Sequence, residues 1–213
     1  MLNFRRLAAG ILLILNIAAV AAQPGLAITV EKRGDAFVVD ATVDFPVPLQ
    51  TAWDVLTDFD NMTSVLSNLT ASRITGRSGN TLLVQQEGKA RYGIFSYAFA
   101  SEREIRLEPM KRILAKQLSG NAKRFASAME LSETGNGTQG RYHAEVVPDS
   151  GIARAFGGPF LQHEIEEQFT AMANEMVRRK ALQLSDGRSA CNPLSTAPRI
   201  VWPQNWANQT SSG

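Results

Sequence analysis

A long amphipathic helix at the end of a strand-rich region is the feature that most constrains this chain. Residues Gly158 to Leu182 carry apolar side chains at helical spacing, whereas the roughly one hundred residues before them alternate as strands do. Glu164, Glu166 and Glu167 lie outside the apolar stripe, so we expect them on a solvated helix face. At about 100° per residue, the stripe is about 80° wide and contains Leu161, Ile165, Phe169, Met172 and Met176. Such a stripe must be covered, which predicts a sheet packed against this helix.

The N-terminus has the pattern of a secretory signal peptide. Arg5 and Arg6 precede an apolar stretch over 7–22, and small residues follow. The stretch is shorter than the about 20 residues that cross a membrane, so we expect cleavage and no stable membrane insertion afterwards. The sequence predicts a signal peptide over 1–27 and export to a bacterial periplasm or beyond, with cleavage after Ala21, Ala22 or Ala27.

The charge that remains after export excludes a basic nucleic-acid-binding surface. Removal of Arg5 and Arg6 from the 22 lysines and arginines leaves 20, which equals the 20 aspartates and glutamates. Cys191 is the only cysteine, so no intramolecular disulfide is possible and the core must stabilise the fold. We expect a monomer with one domain over 28–183 and a disordered polar tail over 184–213.

Alternating apolar and polar residues predict about seven strands. Between the first two, the spacing predicts one short helix over 49–59 and a second that begins at Asp60. Turn residues such as Gly135-Asn136-Gly137 separate the later strands. The predicted strands cover residues 35–45, 71–75, 82–86, 92–102, 112–118, 124–132 and 139–147.

Several segments in this order resemble the START-like helix-grip superfamily (SRPBCC), within it the branch of polyketide cyclase/dehydrase-like and coenzyme Q-binding proteins. The segments are Phe45-Pro46-Val47-Pro48 before Ala52-Trp53-Asp54-Val55-Leu56, Ser119-Gly120-Asn121 before Arg124-Phe125, Gly137-Thr138, Val147-Pro148, and the final helix to Glu175. The resemblance implies an α+β helix-grip fold, in which a curved antiparallel sheet of about seven strands grips the C-terminal helix. It also implies a cavity for lipids, quinones, polyketides or other apolar molecules.

An apolar set of aromatic and methionine side chains is predicted to bind such a ligand. These residue types adapt to irregular apolar molecules, although the same set is also compatible with a closed core. Residues 149–158 form either a gate over the cavity or a plain connection. The predicted ligand-binding residues are Phe95, Tyr97, Phe99, Phe125, Met129, Tyr142, Phe156, Leu161, Ile165, Phe169, Met172 and Met176.

Few residues suggest catalysis, so the sequence favours binding and predicts no catalytic residue, metal ligand or cofactor. His143 and His163 are the only histidines and both are expected to face solvent. Arg91, Arg124 and Arg141 lie on strands and are expected on solvated faces. An alternative function is a cyclase or dehydratase, which requires an ionisable group inside the cavity. A third is an envelope adaptor that docks through Trp202 and Trp206 of the tail.

Overall fold

The computed structural model describes residues 25–92, 95–149 and 157–190. Eight strands, two α-helices and one 3-10 helix follow one another along these segments. The helices are α1 (Leu49–Leu56) and α2 (Gly157–Ala190), and the 3-10 helix is Phe59–Ser64. The strands are β1 (Leu26–Arg33), β2 (Ala36–Phe45), β3 (Leu69–Ser78), β4 (Thr81–Tyr92), β5 (Phe95–Glu108), β6 (Arg112–Gly120), β7 (Ala122–Thr134) and β8 (Gly137–Pro148).

All eight strands form one curved, unclosed antiparallel sheet in the order β1-β2-β8-β7-β6-β5-β4-β3. The predicted α+β helix-grip class is therefore confirmed, with one strand more than the sequence indicated. The additional strand is β1, in which Leu26, Ile28 and Val30 alternate with exposed residues and pair with β2. Its first residues fall inside the segment predicted to be a signal peptide, which is why the alternation was not interpreted as a strand.

The two short helices lie between β2 and β3, but the second differs from its prediction. It is a 3-10 helix that begins at Phe59, and Asp60 does not cap it. Instead, the Asp60 carboxylate accepts a hydrogen bond from the backbone N–H of Ile74 in β3 at 2.7 Å. This bond holds the short helix against β3, the edge strand of the sheet. Because the Asp60 side chain is bonded to the strand, it is not available to cap its own helix.

Helix α2 is buried over a wider arc than the apolar stripe predicted. Phe160, Glu164, Phe169, Ala173 and Met176 are all buried, and at about 100° per residue they cover about 220° of the helix. The helix contacts α1, β1 and β2, and the curved sheet surrounds it on several sides. Glu164 was predicted on a solvated face. That expectation is wrong, because the chain before β3 covers this side chain and Asn68 donates a hydrogen bond to it.

One glycine permits a close approach that shapes the interior. Gly88 lies in β4, where a Cβ atom would stand 2.2 Å from the backbone carbonyl of Asn68 and 2.6 Å from the Phe99 ring. The Asn68 carbonyl accepts a hydrogen bond from the Lys89 N–H at 2.8 Å. The chain that leads into β3 can therefore pass directly over β4, and this passage brings the Asn68 side chain to α2.

Candidate functional site

A cavity of about 270 Å³ lies between the N-terminal half of α2 and the inner face of the sheet. It is close to the lower limit of the about 300–1,000 Å³ that is typical of small-molecule sites. Most of its wall is apolar, as the alternation of the strands predicted. The apolar wall includes Phe37, Val39, Phe99, Phe125, Ala144, Val146, Phe160, Leu161 and Ile165.

Two smaller cavities adjoin the main one. They measure about 130 Å³ and 180 Å³, and Arg103 and Gln168 line all three. The first extends toward Met129, Phe169 and Met172, and the second extends toward Leu66 and Leu69. The shared residues therefore lie where the three spaces meet, so a ligand in any of them would lie near Arg103.

The structure divides the predicted ligand-binding residues into groups. Tyr97, Phe99, Phe125, Tyr142, Leu161 and Ile165 line the main cavity, whereas Met129, Phe169 and Met172 line the smaller one beside it. Met176 is fully buried in the closed core instead. Phe95 begins β5, and its side chain is not among those described. Phe156 and most of the predicted gate, 150–156, lie outside the described residues.

Arg103 is the polar residue that the sequence prediction missed. Extension of the alternation Tyr97, Phe99, Ser101 by one further step places it on the inner face, before the buried Ile105. The sequence prediction ends this strand at Glu102, one residue before Arg103. Strand β5 in fact continues to Glu108.

The Arg103 guanidinium has no carboxylate partner among the described residues. Its Nη2 group donates a hydrogen bond to Gln86 Oε1, and its Cζ atom lies 5.9 Å from the centroid of the Phe125 ring. Its Nε atom is buried without a hydrogen-bond partner. Burial lowers the pKa of Arg103 from its ordinary value, but a guanidinium stays charged. Among the residues that the structure describes, no side-chain anion therefore pairs with this cation of the cavity.

Tyr142 supplies a phenol beside this cation. Its ring packs edge-on against Phe169, with 5.4 Å between centroids and 77° between planes, and it lines the same smaller cavity as Ser127. Burial raises the pKa of Tyr142, an effect that Ser127 and the charge of Arg103 partly oppose. The phenol is therefore neutral at physiological pH and is able to donate a hydrogen bond.

Glu164 places a carboxyl group on the cavity wall contributed by α2. The side chain of Asn68 donates a hydrogen bond to its Oε2 atom at 3.0 Å, which joins α2 to the chain before β3. Burial raises the pKa of Glu164, partly opposed by the bond from Asn68. Gln168, one turn later, also lines the cavity. Glu164 and Gln168 both lie outside the apolar stripe, so the cavity reaches beyond the edge of the stripe.

The two histidines and the three strand arginines that were expected to face outward do so. The His143 ring lies 2.7 Å from Asp40 and is 59% exposed, and His163 is 52% exposed. Arg124 pairs with Glu145, and Arg141 pairs with Glu130. These residues belong to the outer surface and do not contribute to the cavity. Arg91 is exposed as well.

The described segments contain neither a cluster of side chains that could hold a metal ion nor a helix that could span a membrane. Within 25–92, 95–149 and 157–190, no group of three or more His, Cys, Asp or Glu side chains has an arrangement that would hold a metal ion. In the same residues, no helix combines the length and the apolar composition needed to cross a membrane.

Solved structures similar to this chain share its fold. The Zhui aromatase/cyclase from a Streptomyces species is 14% identical, with a TM-score of 0.58 over 68% of this chain and 95% of that one. A STAR-related lipid transfer protein from Xanthomonas axonopodis is 9% identical, with a TM-score of 0.56 over 71% and 93%. A START superfamily protein from Mycobacterium smegmatis is 11% identical, with a TM-score of 0.54 over 66% and 97%.

Sequence comparison identifies the family. No curated protein is detectably similar to the chain. The model of the family described as "Polyketide cyclase / dehydrase and lipid transport" matches residues 36–180, which extend from the start of β2 into the C-terminal half of α2. The segments that suggested the helix-grip superfamily lie almost entirely inside this match. The chain therefore belongs to the polyketide cyclase/dehydrase and lipid transport family, within the START-like helix-grip superfamily.

Proposed function

We propose that this protein binds an apolar small molecule that carries an anionic or strongly polarised oxygen, and that Arg103 is the partner of that oxygen. The observation that supports it is the half-buried guanidinium, which has no carboxylate partner among the described residues and lies in a cavity that is otherwise mostly apolar. Family membership supports a hydrophobic ligand, and the position of the cation adds a polar head to it.

The electrostatic argument rests on the cost of burial. A charged group removed from water is strongly destabilised unless partners replace its hydration, and buried charges in proteins are normally paired. Arg103 has a neutral amide and an aromatic face as partners, and one N–H group is left unsatisfied. A ligand carboxylate, phenolate or enolate would neutralise the charge and supply further acceptors. The apolar walls would hold the rest of the molecule.

Binding assays with matched ligands test this proposal. We expect decanoate to bind more tightly than decanol and methyl decanoate in isothermal titration calorimetry. In Arg103→Met the advantage of the acid should fall by about tenfold or more, because a charge-assisted hydrogen bond is lost. Arg106→Met is the matched control, since Arg106 lies on the same strand but is exposed. Equal affinities for acid and alcohol in the unmodified protein would contradict the proposal.

The positions of Arg103, Tyr142 and Ser127 support catalysis as a second candidate. A cation and a neutral phenol at one cavity are suited to a cyclisation or dehydration, in which an enolate oxygen forms and a proton must be supplied. One structural neighbour, the Zhui protein, is named an aromatase/cyclase. Incubation with a synthetic poly-β-ketone, followed by mass spectrometry, tests this function. Tyr142→Phe should slow product formation, and no turnover by the unmodified protein would exclude this candidate for that substrate class.

We also propose that the protein is exported and acts as a monomer in the periplasm or outside the cell. The N-terminal pattern supports export, and the pairing of Leu26 with Val43 favours cleavage after Ala21 or Ala22, which leaves β1 whole. The mass of the mature chain after cell fractionation tests both points, and gel filtration tests the monomer. A cytoplasmic chain that retains residues 1–27 would contradict export.

A further inference from the structure

A chain of hydrogen bonds extends behind Arg103, away from its own strand. The Arg103 Nη2 group donates to Gln86 Oε1. Gln86 Nε2 donates to Ser72 Oγ at 3.0 Å, and the Ser72 hydroxyl donates to the backbone carbonyl of Phe59 at 2.5 Å. Phe59 is the first residue of the 3-10 helix. The guanidinium is thus joined through two side chains to a fixed point of the backbone.

The polarity of every bond in this chain is determined. A guanidinium only donates, so the carbonyl oxygen of Gln86 must face it and the amide nitrogen must face Ser72. The backbone carbonyl of Phe59 only accepts, so it takes the Ser72 hydrogen. All donors therefore point away from Arg103, and such a series of aligned bonds is mutually reinforcing. Neither the amide nor the hydroxyl can reverse without the loss of a buried bond.

The sheet itself places Gln86 for this role. In the register of β4 and β5, Arg103 lies opposite Val84, and Gln86 lies opposite Ser101. Arg103 and Gln86 are therefore diagonal neighbours on the inner face, within reach of long side chains. Gln86 is buried, with 6% of its surface exposed. Water is thus a poor substitute for either of its partners.

Gln86 is also neutral, and this property distinguishes it from the usual partner of a buried arginine. A carboxylate at the same place would hold the guanidinium equally well but would cancel its charge. We propose that Gln86 is the positioning and specificity-determining residue of the cavity, because it fixes Arg103 while it leaves the charge available to a ligand. This inference rests on the proposed function, since it concerns the same Arg103 site.

The test is the ratio of the affinities for decanoate and decanol in variants of position 86. Gln86→Glu should lower this ratio by about tenfold or more, because the new carboxylate competes with the ligand for the guanidinium. Gln86→Leu should lower it through loss of orientation, and Ser72→Ala should lower it by a smaller factor of about two to five. The ratio does not depend on the fraction of folded protein, so a merely structural role would leave it unchanged.

The outer face of the sheet offers a matched control. Gln85 accepts hydrogen bonds from Arg73 at 3.2 Å and 2.7 Å. This second pair of a glutamine and an arginine lies on the opposite side of β4. Gln85→Glu and Gln85→Leu should therefore keep the ratio of the unmodified protein. If Gln86→Glu does not fold by circular dichroism, Gln86→Leu and Ser72→Ala decide the question.

The outcomes separate this inference from the proposed function. An acid preference that Arg103→Met abolishes, but that the variants of Gln86 and Ser72 leave intact, would overturn the role of Gln86 and preserve the role of Arg103. No acid preference in the unmodified protein would overturn both. A preference that falls in the order Gln86→Glu, Gln86→Leu, Ser72→Ala supports both.

Discussion

The two halves of helix α2 differ in how tightly they pack: the C-terminal half (the closed end) is in a filled core, and the N-terminal half (the hollow end) borders a cavity. Its C-terminal half meets α1 in a closed core, where Met176 and Val55 are fully buried. Its N-terminal half spans a cavity instead. An arginine near each end shows a matching difference in charge pairing. Arg179 bonds to both Asp58 and Glu175 at 2.7 Å, whereas Arg103 has no carboxylate partner among the described residues. We infer that the closed end stabilises the fold and that the hollow end is kept for a ligand.

The largest difference between the two ends should appear when a buried side chain is truncated. Met176→Ala at the closed end is expected to lower the free energy of unfolding by about 2–5 kcal/mol, because it creates a new cavity in a packed core. Leu161→Ala at the hollow end should cost roughly 1 kcal/mol or less, since Leu161 already borders a void. Urea denaturation measures both values. Equal losses would show that the cavity is filled by packing in solution.

The carboxyl groups of α2 should give opposite pH dependences, and the larger effect belongs to Glu175. Hydrogen bonds from Arg178 and Arg179 lower the pKa of Glu175 to about 2 from 4.5, although burial opposes the shift. Its stabilisation is present above pH 4.5 and is lost as the pH falls from 4.5 toward 2. Glu175→Gln should cost about 2 kcal/mol at neutral pH. The difference from the unmodified protein, measured by denaturation at several pH values, should disappear in acid.

Glu164 should behave in the reverse way, with a smaller magnitude. Burial raises its pKa above 4.5, so the folded state favours the protonated form. The stability associated with that form is fully present below pH 4.5 and is lost as the pH rises through the folded pKa. Glu164→Gln should therefore stabilise the protein at neutral pH, by less than Glu175→Gln costs. This gain should vanish in acid, and a loss of stability at neutral pH would contradict the assignment.

Replacement of Arg103 at the hollow end should change the free energy of unfolding less than replacement of Arg179 at the closed end. Arg103→Met eliminates a desolvated charge and leaves one amide oxygen unpaired, so the free energy of unfolding should stay within about 1 kcal/mol. Arg179→Met breaks two ion pairs and should cost about 1–2 kcal/mol, since the pairs are partly exposed and screened. Thermal denaturation of both variants tests the contrast. A larger loss in Arg103→Met would indicate that this arginine supports the fold.

The sequence predicted the parts of the site that depend on local pattern. Alternation placed Phe125, Tyr142 and Phe99 on the inner face, and all three line the cavity. The same rule would also have found Arg103, had β5 been extended past Glu102. Glu164 could not be found in this way, because its direction on the helix is polar by pattern, and only a sheet that curves around α2 buries it.

Gln86 illustrates a further limit. Its alternation with Val84 indicates an inner position, but its role depends on Arg103 from the next strand and on Ser72 from the strand before. Such a three-strand contact follows from the register of two separate pairings. Register depends on the apolar patterns and turns of both pairings together, and the β3–β4 pairing contains register shifts, so alternation within one strand does not reveal the contact.

The sequence pattern determined that a sheet covers one amphipathic helix, because strand alternation and a single apolar stripe allow few ways to cover the apolar faces. The family resemblance then specified the helix-grip class. It also predicted that a ligand, if the interior is hollow, is mainly apolar. The tertiary structure decided which part of α2 is closed and which is hollow, since that depends on the distance between helix and sheet at each position. It also decided that the cavity contains a cation that no carboxylate of the described segments pairs with. Charge pairing is a property of neighbours in space, and the neighbours of Arg103 and Glu164 come from distant parts of the chain.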